Sequence, residues 1–87
     1  MINVLIADDH HLVRTSIAHL LNEESDIKIV GEVDDGESAV AQCRQLKPDI
    51  VLMDIRMPGI GGLEATRRIH RTLADIKVII LTAHLED

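Results

Sequence analysis

The sequence predicts an α/β domain built on a parallel, doubly wound sheet. Two observations predict it. Three continuous apolar runs, at residues 4–7, 50–53 and 78–81, each end at a polar group: Asp8-Asp9, Asp54 and Thr82. Unbroken apolar runs of this length read as strands covered on both faces, the signature of a parallel sheet with helices on each side. Between the runs lie helical stripes, so the chain alternates strand and helix. Right-handed crossovers then set helices on both faces of the sheet.

Each element has its own warrant. Residues 2–7 read as the first strand. A helix follows from about His10 to Asn22, with Val13, Ile17, Leu20 and Leu21 on one stripe. An acidic residue such as Asp9 suits its N-terminus. Residues 22–26 form a polar break. Residues 27–33 alternate for part of their length, as an edge strand does. Asp34-Asp35-Gly36 reads as a turn. Residues 37–46 form the second helix, with Ala39, Val40, Cys43 and Leu46 inward. Pro48 stops it, because proline disfavours helix in the residue before it. The third strand covers residues 50–53. Residues 56–62 are a loop by composition. Residues 63–73 form the third helix and residues 76–81 the fourth strand. Residues 82–87 read as a loop or the start of a further element.

Composition narrows the function. The chain has 87 residues, room for one small domain with a thin core. That core contains no Phe, Tyr or Trp and rests on Ile, Leu, Val, Met and Ala. The formal net charge of −6 disfavours a phosphate-backbone surface, so direct nucleic-acid binding by this segment is not expected. It suits a protein that holds a cation or meets a basic partner. Cys43 is the only cysteine, which fits a reducing compartment. No membrane-length apolar stretch and no signal peptide is legible, so the expected location is the cytoplasm.

The chemistry lies at the strand ends. In an open parallel sheet, sites form beyond the carboxyl ends of the strands. Three strands there would deliver Asp8, Asp9, Asp54 and the Thr82 hydroxyl to one place. Carboxylates within a few ångströms repel one another, and a divalent cation or a proton relieves them. Oxygen ligands favour Mg²⁺ over zinc or copper. A Mg²⁺ beside an Asp carboxylate is a place to receive a phosphoryl group. The plainer reading of Asp8-Asp9 alone is a helix cap. Asp49 and Asp34-Asp35 read as turn residues and Cys43 as packing. His10 and His11 would point to different faces of a helix, so they read as surface and helix-start residues. Arg67, Arg68 and Arg71 read as a solvated basic face.

The motifs Asp8-Asp9, Leu52-Met53-Asp54, Met57-Pro58-Gly59 with Gly61-Gly62, and Thr82-Ala83 together resemble the receiver domain of a bacterial two-component response regulator. The stretch from Asp8 to Arg14 resembles the branch with a LuxR-type helix-turn-helix output domain. The stretch from Met57 to Arg67 is similar to its GacA/UvrY-like members. The resemblance implies a flavodoxin-like (CheY-like) fold with strand order 2-1-3-4. It implies a phosphoacceptor switch rather than an enzyme. Asp54 would accept a phosphoryl group from a sensor histidine kinase. Asp9 would ligate Mg²⁺, with Asp8 acting largely through water and the Arg56 backbone carbonyl completing the protein ligands. Thr82 would hydrogen-bond the phosphoryl group.

The chain departs from the family pattern in two ways. A receiver continues with a helix, a fifth strand ending in Lys, and a last helix, and it carries an aromatic switch residue. Here the 87 residues stop at Asp87, without that Lys, without an aromatic and without an output domain. Residues 1–87 therefore read as a receiver truncated after its fourth strand, with DNA contact left to the missing domain. Phosphotransfer by these residues alone is expected to be poor, and a homodimer or domain-swapped dimer is expected at the fourth strand. Gly61 also stands where many receivers carry Asp. Two alternatives remain: a Mg²⁺-dependent aspartyl-phosphate phosphatase or phosphotransferase, and an interaction fragment incompetent for phosphorylation. Arg56 stands where such phosphatases place a general acid.

Overall fold

The computed structural model describes residues 1–81. Four strands, β1 (Ile2–Ala7), β2 (Ile27–Val33), β3 (Ile50–Asp54) and β4 (Lys77–Leu81), form one sheet in the order β2-β1-β3-β4. All three pairings are parallel. Helices α1 (His11–Asn22), α2 (Gly36–Leu46) and α3 (Gly61–Thr72) make the connections. The parallel sheet is the one the apolar runs predict, and its order is the one the family resemblance implies.

Strand alternation divides the core in two. Leu5 and Ala7 of β1, with Val51 and Met53 of β3, face α2 and α3, where Ala39, Val40, Cys43, Ala65 and Ile69 complete a buried cluster. Val4 and Ile6 face the other way, against Ala18 of α1. Leu5, Ile6, Val51, Met53 and Ile69 are fully buried. Each such side chain contributes roughly 1.5–3 kcal/mol, which is how a core without aromatic rings is built.

The α1 stripe differs from expectation. Ala18 is the buried residue of α1, whereas Val13 and Leu20 are exposed, Leu20 by 64%. The reason lies in the sheet. Helix α1 packs on β1 and β2, and among the described residues no helix covers the same face of β3 and β4. Ile79 of β4 is accordingly 49% exposed. Leu46, expected inward, is 38% exposed at the last turn of α2.

The connections are pinned by particular residues. Lys47 ends α2 in the left-handed region, at φ 47°, immediately before Pro48. Asp49 is more than a turn residue. Its backbone N–H donates to Asn3 O at 2.8 Å, and its carboxylate accepts from Asn3 N–H at 2.8 Å, which fixes β1 against the start of β3. Asp35 is the N-cap of α2, and its carboxylate accepts from Ser38 N–H at 2.7 Å. That bond lowers the Asp35 pKa below 3.8. Asp35→Ala is therefore expected to cost about 1 kcal/mol at neutral pH. A carboxylate whose pKa is depressed by folding contributes stability above its unfolded value and loses it as pH falls through the folded value. Urea melts of both proteins, at neutral pH and below pH 3.8, check this. The gap between the two should close in acid, and a gap that persists would place the role of Asp35 elsewhere.

Candidate functional site

Strands β1 and β3 are parallel neighbours, so their carboxyl ends open on the same edge of the sheet. Asp8 follows β1 directly, and Asp54 is the last residue of β3. Both are 0% exposed, among a core otherwise apolar. Asp9 and His10 lie at the surface beside them. One ligand atom from each of Asp8, Asp9, His10 and Asp54 falls within a common span of 4.8 Å. The expected convergence of Asp8, Asp9 and Asp54 is present. Thr82 lies outside the described residues. Leu81, which precedes it, pairs in register with Asp54.

The backbone of Asp8 is held from both sides. Its N–H donates to Val33 O of β2 at 3.0 Å, and its carbonyl accepts from the Arg14 guanidinium of α1 at 2.8 Å. Arg14 also donates to Glu32 of β2 at 3.2 Å. The Asp8 carboxylate is less fully satisfied. Its Oδ1 accepts from His10 N–H at 2.8 Å, while its Oδ2 is buried without a hydrogen-bond partner among the described residues. A buried carboxylate oxygen without a donor is costly. A hard divalent cation or its water would satisfy it, so the residues present fit such an ion.

His10 is, as expected, a surface residue at the start of α1, but the sequence did not bring it to the site. It is the N-cap of the helix in extended conformation, at φ −91° and ψ 102°, so its ring turns over the carboxylates. Its Nδ1 lies 3.0 Å from Asp8 Oδ1, 3.2 Å from Asp9 Oδ1 and 3.8 Å from Asp54 Oδ2. The hydrogen bond to Asp8, aided by the charges of Asp9, Asp8 and Asp54, raises the His10 pKa against a smaller opposing effect of desolvation. The helix is also capped differently. No side chain caps α1 at His10, and Asp8 accepts the His10 N–H instead. Position i+2 from a strand-end Asp, in a non-helical residue, was the signal available.

The loop after Asp54 is set by close backbone contact. Gly62 N–H donates to Ile55 O at 2.9 Å, bringing the first turn of α3 onto the end of β3. Met57 is buried in the α2–α3 cluster and anchors the loop, while the Arg56 side chain is exposed. Gly59 and Gly61 have φ of 77° and 80°, which glycine adopts without strain. Helix α3 begins at Gly61, two residues before its apolar pattern shows. Away from the site, Glu64 pairs with Arg67 at 2.8 Å and with Arg68 at 3.0 Å, so part of the basic face is already neutralised. Cys43 is buried, and desolvation pushes its thiol up to about 11.

Comparison with known proteins places this geometry. The pattern of the response regulator receiver domain matches residues 4–87. Response regulator UvrY of Escherichia coli K12 is 58% identical over 87 residues, which are 100% of this chain and 40% of that protein. Response regulator GacA of Pseudomonas aeruginosa is 53% identical over 87 residues, again 100% of this chain and 41% of that protein. Among solved structures, the response regulator domain of Thermotoga maritima CheB superposes with a TM-score of 0.91 at 36% identity, covering 100% of this chain and 64% of that one. A DNA-binding response regulator of the LuxR family from Staphylococcus aureus gives a TM-score of 0.90 at 31% identity, covering 99% and 72%. The chain thus spans about two fifths of the length of the curated relatives it matches.

Proposed function

The chain belongs to the response regulator receiver domain family, and we propose that it serves as a phosphoacceptor switch in a two-component phosphorelay. The observation that carries this reading is the Asp54 carboxylate, buried at the end of β3 within 4.8 Å of the ligand atoms of Asp8, Asp9 and His10. Asp54 is the nucleophile. One of its carboxylate oxygens forms a bond to phosphorus as the bond from phosphorus to a phosphohistidine nitrogen of a sensor histidine kinase breaks. Asp9, Asp54 and the Arg56 carbonyl would hold a Mg²⁺ ion, with Asp8 acting through water. When bound, Mg²⁺ neutralises charge on the transferring oxygens. Thr82 donates its hydroxyl to the phosphoryl group. The chain acts as a switch and not as a turnover enzyme. In a longer protein the shift reaches an output domain that contacts DNA. No helix among the described residues is long and apolar enough to cross a membrane, and the proposed location is the bacterial cytoplasm.

The test is phosphoryl labelling from acetyl phosphate. It uses the 87-residue chain and the same chain extended through a fifth strand ending in Lys, each with and without Mg²⁺. Stable, Mg²⁺-dependent label in the extended chain, weak label in the shorter one and none in either Asp54→Asn variant is the expected result. Rapid hydrolysis of unrelated phosphomonoesters would favour a phosphatase. No label in either chain would defeat the phosphoacceptor reading.

The open face around β4 motivates a second proposal. Residues 1–87 self-associate through β4, which pairs only with β3 among the described residues and exposes Ile79. An apolar strand edge templates pairing with a second chain. Sedimentation at several concentrations should show a dimer that Ile79→Lys dissolves. A monomer throughout the micromolar range, or a dimer indifferent to that charge, would exclude it.

A further inference from the structure

The divalent-ion pocket contains a nitrogen. We propose that His10 Nδ1 is a metal ligand of the acidic pocket, together with Asp9 and Asp54, and gives it a preference for ions that accept imidazole over Mg²⁺. The inference rests on the cation-binding reading of the pocket above and specifies its donor set.

Geometry carries it first. Ligands about 2.1 Å from an octahedral ion stand about 3 Å apart when adjacent and about 4.2 Å apart when opposite. His10 Nδ1 lies 3.0 Å from Asp8 Oδ1, 3.2 Å from Asp9 Oδ1 and 3.8 Å from Asp54 Oδ2. All four ligand atoms fall within 4.8 Å of one another. These are the spacings of groups around one ion, reached with a small inward shift. Asp8 Oδ2 provides a second, independent observation. It is a fully buried acceptor without a donor among the described residues, in the same cluster.

Chemistry sets the direction of the preference. Mg²⁺ takes oxygen donors and keeps its water, so a nitrogen gains it nothing. Co²⁺, Ni²⁺ and Zn²⁺ accept imidazole readily and follow a steep affinity order at mixed nitrogen and oxygen sites. The His10 side chain is 44% exposed, so it can swing onto an ion without repacking the core. Without an ion, the ring hydrogen-bonds Asp8. With Co²⁺ it turns the Nδ1 lone pair to the metal.

The experiment uses Co²⁺ and Mg²⁺ as separate calorimetric titrants of the folded chain, with proton spectra recorded in Co²⁺. The parent chain should bind Co²⁺ more tightly than Mg²⁺, with Mg²⁺ competing, and the His10 ring protons should carry the paramagnetic shift. His10→Gln should lower Co²⁺ affinity by about tenfold or more and Mg²⁺ affinity by a clearly smaller factor. His11→Gln should change neither. The proposal is overturned if His10→Gln leaves Co²⁺ binding unchanged, if it weakens both ions equally, or if the parent's His10 protons do not shift. Asp9→Ala separates the two readings. Loss of both ions there upholds the pocket whatever His10 does. Retention of both means the pocket is not the cation site, and the metal reading under the proposed function falls with this one.

Discussion

In a chelating buffer, Asp54→Asn should melt at a higher temperature than the parent chain, and added Mg²⁺ should raise the melting point of the parent alone. Asp54 and Asp8 are each 0% exposed and belong to one cluster of ligand atoms. Two carboxylates in that setting lose hydration and repel each other. His10 hydrogen-bonds Asp8 Oδ1, yet Asp8 Oδ2 has no donor among the described residues. Asparagine keeps the shape of Asp54, removes one negative charge and brings an amide that can donate. A gain on the order of 1 kcal/mol would move the midpoint of a domain this size by about 4–8 °C. In the parent, Mg²⁺ at ten times its dissociation constant would add about 1.4 kcal/mol, because it binds only the folded site. Differential scanning calorimetry with chelator and then with Mg²⁺ reads both effects. An Asp54→Asn protein clearly less stable in chelator would mean that the buried carboxylates are not in conflict.

The sheet and the acidic cluster were legible because each follows from a local pattern. Unbroken apolar runs at residues 50–53 and 78–81 read as strands of a parallel sheet, although β4 leaves Ile79 exposed, and an Asp placed directly after such a run emerges at the strand's carboxyl end. Helix α1 was read less well. Val13, Ile17, Leu20 and Leu21 share a stripe, but a stripe says only which side is apolar and not what stands opposite it. With no described helix over that face of β3 and β4, Val13 and Leu20 face outward. His10 was missed as a site residue for a different reason. It is the surface, helix-start residue its position suggested, but spacing says nothing of the extended backbone that turns its ring onto Asp8. Neither the cap geometry of Asp35 nor the pinning role of Asp49 shows in a turn-forming composition. Both depend on which backbone N–H lies within reach.

Gly62→Ala should be the most damaging single-methyl change near the site. Gly62 lies within α3, where alanine is intrinsically favoured over glycine by about 1 kcal/mol. Propensity alone therefore predicts stabilisation. Packing predicts the opposite. A Cβ at Gly62 would overlap the carbonyl oxygen of Asp54, with the Asp54 carbonyl carbon and the Ile55 Cα both at 2.9 Å. These are backbone atoms at the end of a central strand, and no rotamer change can clear them. Either α3 moves off the sheet, losing the burial of Ala65 and Ile69, or β3 moves and carries Asp54 with it. A cost of about 3 kcal/mol or more is expected, the upper range for overpacking. Gly61 is the control. It sits at φ 80°, and its Cβ would meet nothing nearer than Ile55 O at 3.8 Å. Gly61→Ala should therefore cost only the left-handed strain of about 1–2 kcal/mol. Urea denaturation of the three proteins ranks these effects, and Mg²⁺ titration of the folded fraction reports on Asp54. Gly62→Ala should weaken Mg²⁺ binding because the group it strikes is the main chain of Asp54 itself, whereas Gly61→Ala should leave binding near the parent level. A Gly62→Ala chain as stable as the parent would mean that α3 does not press on the end of β3, and the close support of Asp54 by that helix would have to be abandoned.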